Sequence, residues 1–136
     1  VGELAYTSLR RSQDAAYATL RPYYADLDSL PAEDQAFLRE RVWARVWSGG
    51  QRRVFLSALR WLSVERAQIG PDLAARLAQL DVPTLLVWGE HDRIVARAEG
   101  EALAALLPDA RLELIAEAGH LPQQERPAEV VRLIQA

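Results

Sequence analysis

The 136-residue chain is the size of one domain, half hydrophobic and 26% charged, as a soluble globular fold requires. Its net charge of −3 argues against a nucleic-acid partner, because such domains usually carry a basic face. With no cysteine and only His91 and His120, it has no disulfide or thiolate chemistry and no histidine-rich zinc site, and no metal or other cofactor is expected.

All sixteen basic residues are arginines. They are scattered beside acids, as in Arg39-Glu40-Arg41 and Glu65-Arg66, and read as solvated helix faces. No apolar run approaches the roughly 18 residues of a membrane helix. Charges interrupt every apolar stretch of residues 1–20, so no signal peptide is read there. No membrane partner is expected, and the cytoplasm is the default compartment. Methionine is absent even at position 1, so the expectation is a chain that starts after processing, cleavage or another boundary.

Residues 1–69 carry helical periodicity and almost no strand signal. Leu4–Leu20 reads as one helix, ended by Arg21-Pro22 because the residue before proline avoids the helical region. Residues 23–26 form a connector. A second helix starts at Pro31, with Glu33 and Asp34 in its first turn, where acids suit the helix dipole. Phe37, Leu38, Val42, Trp43 and Val46 recur at helical spacing, and Ser48-Gly49-Gly50 punctuates. A third helix runs from about Arg52 to Val64, with Val54, Phe55, Ala58, Leu59 and Leu62 on one face.

Residues 70–136 alternate. Asp72–Leu80 is a short helix, and Thr84–Trp88 is a continuous apolar run closed by Gly89. A continuous run suits a parallel strand buried on both faces. Ala96–Leu107 is helical, Arg111–Ile115 a second strand, and Pro127–Gln135 a final helix. The order α-β-α-β-α marks a parallel α/β layer. Two strands leave a parallel sheet with exposed edges, so the expectation is the closing part of a larger doubly wound sheet.

Catalytic groups in open α/β sheets lie beyond the carboxyl ends of the strands. Asp92 falls there after the first strand, in Gly89-Glu90-His91-Asp92. His120 falls there after the second, in Glu117-Ala118-Gly119-His120. They stand 28 residues apart, room for one crossover helix. If the strands are neighbours, the side chains meet at one rim. A carboxylate beside a histidine fixes the imidazole tautomer and stabilises the imidazolium formed on proton abstraction. His91 reads as an exposed turn residue. Glu125 reads as a residue that holds the histidine loop or caps the last helix.

The segment Val82-Pro83-Thr84-Leu85-Leu86-Val87-Trp88-Gly89-Glu90-His91-Asp92 resembles the penultimate strand and acid turn of the α/β-hydrolase family. The segment Ala118-Gly119-His120-Leu121-Pro122-Gln123-Gln124-Glu125-Arg126-Pro127 resembles that family's histidine loop. The acid-then-histidine order is also the family's. The resemblance implies an α/β fold comprising the C-terminal part of a doubly wound hydrolase sheet (residues 70–136) preceded by an all-helical cap (residues 1–69). It implies that Asp92 is the triad acid and His120 the general base.

The family's Gly-x-Ser-x-Gly elbow, or the aspartate that replaces its serine in epoxide hydrolases and haloalkane dehalogenases, does not occur here. Serines 8, 12, 29, 48, 57 and 63 all lie in the helical half. The expectation is a carboxylesterase- or lipase-like enzyme acting on a small ester, with its serine upstream and this chain inactive alone. Epoxide hydrolase and dehalogenase activities stay open. So does a catalytically inactive fragment or interaction module that pairs with the N-terminal half of the fold or with a second copy. Tyr24, Trp43 and Trp47 are candidates for substrate-pocket walls, beside the plainer reading that such aromatics fill a core.

Overall fold

The computed structural model describes residues 7–65 and 70–136. They fall into two compact units, one of residues 1–20 with 28–70, the other of residues 21–27 with 71–136.

In the first unit, a 3-10 turn at Leu9–Arg11 precedes α1 (Gln13–Ala18). The expected single helix Leu4–Leu20 is therefore interrupted, and its residues 4–6 lie outside the described residues. The cause is Ser12. Its extended backbone breaks the ladder, and its hydroxyl accepts the Ala15 N–H at 3.2 Å as an N-cap. Helix α2 (Ala32–Trp47) begins after Pro31, with Glu33 and Asp34 in the first turn. Helix α3 (Gly49–Glu65) follows at once. The break falls at Ser48, whose extended backbone ends α2 and whose hydroxyl accepts from Gln51 N at 3.2 Å. The two glycines start the next helix instead of forming the break.

Ala16, Val42 and Val46 form the buried centre of this unit, with Leu9, Leu20 and Trp43 packed against it. The Arg39 guanidinium lies 4.2 Å from the Tyr17 ring centroid and pairs with Asp14. The expected apolar face of α3 is exposed at Val54 (70%), Phe55 and Leu59, while the Leu62 side chain lies outside those described.

In the second unit, α4 (Gly70–Leu77) leads to β1 (Thr84–Gly89), α5 (Arg97–Leu106) and β2 (Ala110–Ile115). The strands are parallel neighbours, in register from Thr84 opposite Ala110 to Gly89 opposite Ile115. Helix α5 is the crossover and packs on both strands. Trp88 fits against it because position 100 is glycine, where a Cβ would stand 2.9 Å from the indole ring. Apart from Gly89, the residues of β1 are half-buried, less than a strand covered on both faces. The physical reason is that β2 is the only strand beside it among the described residues.

A four-residue helix α6 (Pro122–Glu125) follows, then α7 (Pro127–Gln135). Each begins on a proline, whose missing N–H costs nothing in a first turn.

Candidate active site

Both strands end at the same rim, because Gly89 and Ile115 are register partners. The backbone after β1 turns sharply, with Asp92 N–H bonded to the Gly89 carbonyl at 3.2 Å. After β2 the chain turns at Glu117, whose φ of 50° lies in the left-handed region. The two turns are stitched together. Glu90 N donates to the Ile115 carbonyl at 3.0 Å and His91 N to the Ala118 carbonyl at 2.9 Å. Such close approach requires glycine. A Cβ on Gly89 would stand 2.0 Å from the Gly119 oxygen and 2.4 Å from the Ala118 oxygen.

Asp92 and His120 meet at this rim, with Nδ1 of His120 2.9 Å from Oδ2 of Asp92. A carboxylate only accepts, so Nδ1 donates in this bond, and in the neutral ring Nε2 then holds the lone pair. The other oxygen, Oδ1, accepts the N–H groups of Ile94 at 2.8 Å and Val95 at 2.9 Å. Burial of the carboxyl raises its pKa. The Val95 N–H, the His120 side chain and the Ile94 N–H outweigh burial, and the group sits below the ordinary carboxylate value. The Asp92 side chain is 6% exposed and that of His120 33%. The acid is thus sheltered and fixed, while the imidazole is open to a substrate. This arrangement can remove a proton at Nε2 and hold the resulting imidazolium.

Residues 21–27, of which 23–26 read from sequence as a connector with Tyr24 a candidate pocket wall, supply the other side of the histidine loop. His120 N donates to the Tyr23 carbonyl at 2.8 Å, and the Tyr23 ring lies 5.9 Å from the imidazole, tilted by 56°. Nothing in the sequence pattern places Tyr23 there. Tyr24 is 1% exposed, and its hydroxyl donates to Gln124. Trp43 and Trp47 belong to the first unit and meet edge to face at 5.8 Å, with Arg10 over Trp47. His91 is exposed, as expected of a turn residue. Among the described residues no three histidine, aspartate or glutamate side chains gather as a metal would need.

The sequence profile of the alpha/beta hydrolase fold matches residues 6–127. The chain belongs to the α/β-hydrolase fold family. It is 32% identical over 121 residues to the 2-hydroxy-6-oxo-6-phenylhexa-2,4-dienoate hydrolase of Comamonas testosteroni, covering 88% of this chain and 41% of that protein. It is 38% identical over 65 residues to the pimeloyl-acyl-carrier-protein methyl ester esterase of Serratia marcescens, covering 48% of this chain and 26% of that one. In structure it resembles the 2-hydroxy-6-oxo-6-phenylhexa-2,4-dienoate hydrolase of a Rhodococcus strain with a TM-score of 0.78. That match covers 96% of this chain and 45% of the other at 19% identity, a likeness of fold. This α/β-hydrolase chain spans less than half the length of each of these relatives.

Proposed function

We propose that residues 1–136 contribute the acid and the base of a serine hydrolase acting on ester substrates. The observation that carries this reading is the 2.9 Å bond between Asp92 and His120, two residues from neighbouring strand ends. Its chemistry is proton transfer at Nε2. A serine hydroxyl on the same sheet would attack the ester carbonyl as Nε2 takes its proton. The imidazolium, held by Asp92, would return that proton to the leaving alcohol. Water activated at the same nitrogen would then release the acid.

The order of the triad places the serine upstream of Asp92, on an elbow that residues 1–136 lack. On this reading a polypeptide of these residues alone does not turn over, and its partner is the sheet half that bears the elbow. The edge of β1 away from β2, beside which no strand lies among the described residues, suits that addition. The relatives' names supply two carbonyl substrates, a methyl ester and a 6-oxo dienoate. Either leaving group, an alkoxide from an ester or a carbanion from a 6-oxo dienoate, takes up one proton, which a single histidine delivers. Among the described residues no helix is long and apolar enough to cross a membrane.

The test is labelling of the complete hydrolase by a fluorophosphonate, which reacts with an activated serine. Labelling abolished by His120→Ala supports the reading. A hydrolase that turns over ester through an aspartate nucleophile, unlabelled, overturns its serine step. No labelling and no turnover would leave the non-catalytic interaction module as the better account.

A further inference from the structure

The carboxylate of Glu125 takes no part in the proton path above, yet it is the buried charged side chain of the histidine loop, 8% exposed. Both its oxygens are committed. Oε2 accepts the Gly119 N–H at 2.6 Å, and Oε1 accepts the Ala25 N–H at 2.7 Å. These amides belong to the two strands of chain that enclose His120. Gly119 immediately precedes the histidine, and Ala25 ends the Tyr23–Ala25 segment whose carbonyl at Tyr23 receives the His120 N–H. The contact is tight. A Cβ on Gly119 would stand 2.7 Å from the Ala25 nitrogen.

We propose that Glu125 is a positioning residue for His120. It bonds both amides at once and so clamps the histidine loop to residues 23–25. That clamp fixes the backbone one residue before the imidazole and holds Nδ1 within reach of Asp92. Amide bonds to a carboxylate are roughly twice as strong as neutral ones, so this side chain is a firmer clamp than the Gln124–Tyr24 contact beside it. Without the clamp, rotation about Gly119 would swing the ring off its 2.9 Å bond. The kinetic consequence rests on the hydrolase reading above; the geometric one does not.

The deciding variant is Glu125→Gln in the complete hydrolase, because it keeps the volume of the side chain. Its amide group must turn a donor toward one of the two N–H groups, so one bond is lost. Two readouts are taken: the downfield proton resonance of His120 Nδ1–H, and kcat and KM for a p-nitrophenyl ester. A displacement on the order of an ångström at a catalytic group lowers turnover by up to about 100-fold. The expected result is a shifted or broadened Nδ1–H resonance and a kcat at least about tenfold lower, with KM little changed. A purely structural Glu125 would lower Tm and leave resonance and kcat of the folded protein as they were, which overturns the proposal. If the parent protein shows no turnover, the hydrolase reading fails on its own, and the resonance alone decides for or against the clamp.

Discussion

Trp88 Nε1 donates to the Val95 carbonyl at 3.1 Å, while the Val95 N–H donates to Asp92 Oδ1 at 2.9 Å. One residue thus links the last bulky side chain of β1 to the acid. The indole lies flat against Gly100 on α5 and reaches over the acid turn to hold its far end. Trp88→Phe keeps most of the packing and removes the hydrogen bond. The expected loss is about 1 kcal/mol of stability, the net value of one such bond. Urea denaturation of both proteins checks it, and turnover of the complete hydrolase should fall with it because the Asp92 cradle loosens.

Stability should depend on pH through Asp92. Its carboxyl binds a proton less readily in the folded protein than in the unfolded chain. The unfolded state therefore takes up more protons as the pH drops. The stabilisation is fully present above the ordinary carboxylate range and is lost as the pH falls through the lower folded value. Denaturation midpoints of the parent and Asp92→Asn across an acid series check this. The parent should lose stability toward low pH more steeply than the variant.

Gly89→Ala should be among the most damaging small substitutions in the chain. The added methyl would stand 2.0 Å from a backbone oxygen, where no flexible side chain can yield. The acid turn and histidine loop would have to part. We expect a loss of about 3 kcal/mol or more, the upper range of overpacking. Thermal unfolding followed by circular dichroism measures it. Gly49→Ala is the control, because only the Arg53 guanidinium lies near its Cβ position, at 3.8 Å.

Much of the second unit was legible in the sequence because its signals are local and strong. The apolar run at residues 84–88 with its closing Gly89 gave β1, and Arg111–Ile115 gave β2 with one added residue. Once the strands are parallel neighbours, their ends coincide, and Asp92 and His120 must meet. The first unit was less legible. Ser12 breaks a helix by capping, and a serine within an apolar periodicity gives little warning, whereas the break at Ser48 was announced by the two glycines after it. Helix α6 was missed because four residues carry too little periodicity to read. The role of Tyr23–Ala25 was also invisible. Its contacts with Gly119, His120 and Glu125 span about a hundred residues of sequence, and no local pattern encodes them.

The most direct test concerns the tautomer that Asp92 imposes on His120. In Asp92→Asn, the amide can present a donor to Nδ1, which drives the histidine proton onto Nε2 and removes the base. The measurement is kcat/KM of the complete hydrolase on a p-nitrophenyl ester near neutral pH, with circular dichroism to show both proteins folded. A fall on the order of 10⁴-fold is the result expected if the two residues are the acid and base of the triad. Equal turnover by a folded Asp92→Asn protein would contradict that account.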